Sequence, residues 1–69
     1  MDVRKRLGAK VRSLRLERGL SQEAFAYECG VSQQYISGLE RGMRNPTLMM
    51  LCDIAAALSV NVADLLGNV

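Results

Sequence analysis

Residues 21–42 constrain this chain more than any other stretch. They read Ser-Gln-Glu-Ala-Phe-Ala-Tyr-Glu-Cys-Gly, then Val-Ser-Gln-Gln-Tyr-Ile-Ser-Gly-Leu-Glu-Arg-Gly. Ser21 and Ser32 each stand where a hydroxyl can accept a first-turn backbone N–H and cap a helix. Gly30 stands between them, where a helix end favours a residue at positive φ. The pattern predicts two short helices joined by a tight turn. Phe25, Ala26, Cys29, Val31, Ile36 and Leu39 can close a small core between them. The outside of the second helix keeps Gln33, Gln34, Ser37 and Arg41. Those are hydrogen-bonding groups beside a cation, not a catalytic set.

The flanking sequence extends the helical reading. A first helix is expected from about Val3 to Arg18, capped by Asp2 and ended by Gly19, with Leu7, Val11 and Leu14 as its apolar stripe. The two central helices span about 22–29 and 33–41. Gly42 ends the latter, and Pro46 forces Asn45 out of helical geometry. Thr47 caps a fourth helix, 48–58, whose expected apolar face is Leu48, Leu51, Cys52, Ala55 and Leu58, widened by Ile54. Asn61 caps a last short helix, 62–66, before Gly67. The expectation is one all-α domain over residues 1–69, with five helices and no strands.

A chain of 69 residues buries only a modest core. With 49% apolar residues and three aromatics, that core must be aliphatic. The net charge is only +2, but Arg4, Lys5, Arg6, Lys10, Arg12, Arg15 and Arg18 all lie in the first eighteen positions. Such a cluster fits either a nucleic-acid partner or a solvated helix face. There is no histidine, phosphate-cradling glycine loop or carboxylate pair in an apolar setting. No catalytic residue, metal, cofactor or small-molecule ligand is therefore expected. Two isolated cysteines without histidine cannot make an ordinary zinc site, so Cys29 and Cys52 read as buried reduced thiols. No membrane span or secretory leader is legible, which points to a cytoplasmic protein. Asp53 and Asp64 read as surface acids.

Gln33 and Gln34 are the sharpest polar feature. At the start of a helix they project forward, and an amide can donate and accept at once, matching adenine N6 and N7 in the major groove. Two ordinary surface glutamines would look the same in isolation.

Gln22 to Arg41, with Ala26, Gly30, Ile36 and Leu39 in place, resembles the helix-turn-helix of the Cro/repressor (Xre-type) family. The likeness continues through Leu39-Glu40-Arg41-Gly42, Arg44-Asn45-Pro46-Thr47 and the segment 57–66. It covers about Leu7 to Gly67. Tyr35 to Arg41, followed by Arg44-Asn45, is also similar to the controller proteins of restriction–modification systems.

The resemblance implies a compact five-helix, lambda-repressor-like domain with its helix-turn-helix core at about 21–42. It implies a sequence-specific transcriptional regulator that binds double-stranded DNA. Ser32, Gln33, Gln34 and Ser37 match positions that face bases. Gln22, Tyr35, Arg41, Arg44 and Asn45 match backbone or minor-groove positions, and Gln22 also steadies Gln33. Arg15 and Glu40 match an interhelical salt bridge. Gly38 removes a side chain where relatives often read a base, and Met43 replaces a commonly basic residue.

One monomer makes few base contacts, so a homodimer on a pseudo-palindrome is expected, with half-sites about one helical turn apart. Its interface is expected within about 58–69, around Val60, Asn61, Val62 and Leu65. The alternatives are a phage-type repressor, or a protein-interaction module such as an antitoxin or co-activator on the same fold.

Overall fold

All five expected N-caps are in place. The structure, a computed structural model, describes residues 2–67. Among these the helices are α1 Val3–Glu17, α2 Gln22–Cys29, α3 Gln33–Glu40, α4 Leu48–Leu58 and α5 Val62–Leu66, with no strand. Asp2, Ser21, Ser32 and Thr47 accept first-turn N–H groups at 2.9–3.1 Å. At α5 the acid does the work: Asp64 accepts the N–H of Asn61 at 3.0 Å. Asp64 is thus a capping residue as well as a surface one.

The ends of α1 to α4 share one device. At α3, the Met43 N–H bonds to the Gly38 carbonyl and the Gly42 N–H to that of Leu39. This paired closure satisfies carbonyls that the helix leaves open, and it sets Gly42 at φ +77°. Arg18 and Arg41 are half-in caps, so α1 and α3 are each one residue shorter than expected. The end of α4 uses the same closure with Ser59 at φ 59°. Arg18 Nη1 donates to Ser59 Oγ at 2.7 Å and to the Ala57 carbonyl at 3.3 Å. A cation from α1 thereby meets the negative end of α4.

The core gathers Leu7 and Val11 of α1, Phe25, Ala26 and Cys29 of α2, Ile36 and Leu39 of α3, Ile54, Ala55 and Leu58 of α4, and Leu65 of α5. Val31, Leu14 and Leu51 pack at its edge. Gly8 explains how α1 approaches α3 so closely. A Cβ there would stand 2.4 Å from the Leu39 carbonyl oxygen and 2.6 Å from that of Glu40. The two helices meet backbone to backbone at this point.

Two expectations fail on α4, and one on α5. Leu48 is 68% exposed and Cys52 is exposed too. Nearly every position of α4 is apolar, so spacing alone assigns no inner face. Packing against α2 and α5 turns Ile54, Ala55 and Leu58 inward. Only Cys29 is a buried thiol. Leu65, expected at a dimer surface, is 1% exposed and seals the core instead. Positions 68–69 of the expected dimerisation region lie outside the described residues. No helix among the described residues is long and apolar enough to cross a membrane.

Candidate nucleic-acid interface

The orientation of α3 is set from behind. Arg15 Nε donates to Glu40 Oε2 at 2.6 Å, and Nη2 donates to Oε1 at 3.0 Å. The third guanidinium nitrogen, Nη1, donates to the Leu20 carbonyl at 2.7 Å. Gln22 Nε2 adds a bond to Glu40 Oε1 at 3.1 Å. Arg15 and Glu40 have side-chain exposures of 7% and 3%. One buried network therefore ties α1, the start of α2 and the end of α3. It is fully satisfied: no buried side-chain polar atom among the described residues lacks a partner. That matters because a half-satisfied buried charge is costly.

Gln22 is thus held differently from the expectation. Its amide steadies Glu40 rather than Gln33. A second amide hydrogen and the carbonyl remain for other partners.

The outer face of α3 is polar. Ser32, Gln33, Gln34 and Arg41 are exposed, and Ser37 is half-buried. Ser32 Oγ already accepts the Tyr35 N–H at 3.1 Å, which leaves its own O–H to donate. Arg41 folds back along the helix, with Nε 3.4 Å from the Ser37 carbonyl. Arg44 and Asn45, in the loop before α4, are exposed. The Arg44 guanidinium lies over the Tyr35 ring, 5.1 Å from its centroid. Tyr35 itself is half-buried and packs against the core edge.

The electrostatics of this face follow from a burial. Between Glu28 and Asp53 the sequence holds a single acid, Glu40. It is neutralised inside by Arg15. Arg41 and Arg44 are left to set the sign of the outer surface. The basic cluster of α1 contributes less than its count suggests. Arg15 is internal, Arg18 binds the end of α4, and Arg4 lies 3.6 Å from Asp2. The Arg4 backbone N–H and its charge hold the Asp2 carboxyl below its ordinary value.

Sequence reasoning missed two features that shape the face. One is Gly8, whose bare backbone lets α3 sit against α1. The other is the contact of Lys5 with the turn after α3: a Cβ at Gly42 would stand 2.7 Å from Lys5 Cγ. Helical spacing gives neither away. No group of acids and cysteines among the described residues is arranged to hold a metal ion.

A family profile described as helix-turn-helix matches residues 11–65. The chain belongs to the Xre-type helix-turn-helix family. The family assignment agrees with the five-helix order and with the paired helices α2 and α3. An HTH-type transcriptional regulator of Sinorhizobium fredii is 49% identical over 65 residues, spanning 94% of this chain and 84% of the relative. The control protein C.BamHI of Bacillus amyloliquefaciens is 44% identical over 66 residues, spanning 94% and 82%. Among solved structures, the restriction–modification controller protein C.Esp1396I, a tetramer in complex with its natural 35 base-pair operator, is similar at a TM-score of 0.81 and 34% identity. That likeness covers 88% of this chain and 80% of the other.

Proposed function

We propose that this protein is a sequence-specific DNA-binding regulator that occupies a pseudo-palindromic operator as a homodimer. The observation that carries this reading is the face of α3. It offers Gln33 and Gln34 to solvent, is flanked by Arg41 and Arg44, and has its one acid buried and paired. Gln33, Gln34, Ser37 and the Ser32 hydroxyl would meet base edges in the major groove. Gln22, Tyr35, Arg41, Arg44 and Asn45 would meet backbone or groove edge. Phosphate contacts supply affinity and register, and base contacts supply sequence choice. The role is occupancy rather than chemistry. The likeness to control proteins, one of them solved on its operator, supports a regulator of the controller type.

Homodimerisation follows from the small number of base contacts one α3 can make. The apolar side chains that α4 leaves in water, Leu48 at 68% and Met49 at 74% exposure, suit a second copy. Val60 and Val62 are half-buried and Asn61 is exposed, so they can join that surface.

Selection of duplexes from a random pool tests the reading. It should return one half-site sequence repeated with two-fold symmetry about one helical turn, roughly 34 Å, apart. Gln33→Ala should relax the preference at one base pair and cost about 1–3 kcal/mol there. An unchanged preferred sequence would remove α3 from the interface.

A further inference from the structure

Gly38 sits in the interior of α3, where glycine is the weakest residue after proline. Its place in the structure supplies a reason. A Cβ built on Gly38 would stand 3.1 Å from Arg44 Nε, 3.4 Å from its Cγ and 3.7 Å from its Cδ. The Arg44 side chain therefore lies tightly against the place a Cβ at 38 would take, and across the space a longer side chain there would need. Its head lies over the Tyr35 ring, one turn earlier on the same helix. Bare backbone under the stem and an aromatic face under the guanidinium make a seat. Both parts come from α3, while the arginine comes from the loop. Among the described residues Arg44 has no carboxylate partner, and it is exposed.

We propose that Gly38 is a positioning residue for Arg44. The missing side chain at 38 cedes its outward place to an arginine delivered from the loop, and that arginine meets DNA as part of the α3 surface. The inference rests on the reading of α3 as the DNA-facing helix. The physical gain is pre-organisation. An arginine has many rotamers to lose on binding, and a seated one has lost most of them beforehand. The cation–aromatic contact holds the head without neutralising it. A chain with a side chain at 38 would present that side chain and leave Arg44 loose. The glycine is thus a choice between two ways of occupying the same patch.

The test is a double-mutant cycle on the intact protein. The probe is the tightest duplex that the wild-type protein selects from a random pool. Gly38→Ala crowds the seat and Gly38→Met fills it. Binding should weaken about threefold and about tenfold respectively, within the range of couplings seen between touching residues. In an Arg44→Ala background both substitutions should have little further effect. Thermal melting separates this from misfolding, because both replacements raise helix propensity and should not lower the midpoint. Tyr35→Leu removes the other half of the seat. Because Tyr35 can also touch DNA itself, its loss should be several-fold larger with Arg44 present than in the Arg44→Ala background, and that difference decides the matter if the position-38 variants fold poorly. Equal losses with and without Arg44, or wild-type affinity in all the variants, would overturn the proposal. If the wild-type protein selects no duplex at all, it is the DNA-binding reading that falls.

Discussion

Arg15 and Glu40 are twenty-five residues apart in sequence and share two hydrogen bonds, at 2.6 and 3.0 Å, in the interior. The pair clamps the end of α3 onto α1. It also removes the one carboxylate that would otherwise oppose a polyanion near the outer face of α3.

Breaking the clamp from one side should be severe. Arg15→Met leaves Glu40 buried with only the Gln22 amide for company, and should cost about 3–5 kcal/mol. Replacing both, as in Arg15→Met with Glu40→Leu, should recover much of that loss, because no unpaired charge remains. Urea unfolding followed by circular dichroism would measure both. A double variant as unstable as the single one would show that the network stabilises by more than mutual compensation.

Gly8→Ala should run against its own propensity. Alanine is favoured over glycine in a helix interior by about 1 kcal/mol. Here the added methyl would meet two backbone carbonyl oxygens at 2.4 and 2.6 Å, and backbone cannot swing aside. Overpacking of this kind typically costs about 1–3 kcal/mol, so the net effect should be a lower melting temperature. A higher one would mean that α1 can slide along α3.

The two thiols should behave oppositely. Burial pushes the Cys29 thiol up to about 11, from an ordinary 9.0, and the carboxylates of Glu28 and Asp53 add to the shift. Cys29 should therefore resist alkylation until the chain unfolds, while Cys52 reacts in the native protein. The same shift has a sign for stability. The folded state keeps its proton after the unfolded chain has lost it. The stabilisation is whole below pH about 9 and is lost as pH rises through about 11. The urea midpoint should fall more steeply over that window in the wild-type protein than in Cys29→Ala.

Met49→Glu should separate assembly from folding. The side chain is 74% exposed, so the monomer should tolerate the charge to within about 0.5 kcal/mol. Two copies meeting through α4 would bring two carboxylates together. Sedimentation should then show a monomer where the wild-type chain dimerises. Cys52, one turn from Leu48, should report the same event: its alkylation should slow as wild-type concentration rises, but not in Met49→Glu. Dimerisation undiminished by Met49→Glu would move the interface to α5.

Helix existence and helix starts were legible because they are local. A serine, threonine or aspartate ahead of a helical run bonds within its own first turn. The glycine after a run answers to backbone sterics alone. The list of exposed polar residues on α3 was legible for the same reason. The facing of α4 was not. With apolar residues on every side its spacing carries no phase, so Leu48 and Cys52 looked as internal as Ile54. Leu65 was misplaced because a five-residue helix cannot declare which side it buries.

The sequence by itself determined the order of five helices, their caps, the polar set on α3 and the chemical types available there. Those properties depend on neighbours within about one turn. Only the tertiary structure decided which apolar residues are inside, and that Gln22 serves Glu40 rather than Gln33. It also showed that Gly8 lets two backbones touch, and that the gap at Gly38 is filled by Arg44. Each of these depends on residues brought together from distant parts of the chain or across a turn, where packing rather than propensity selects the partner.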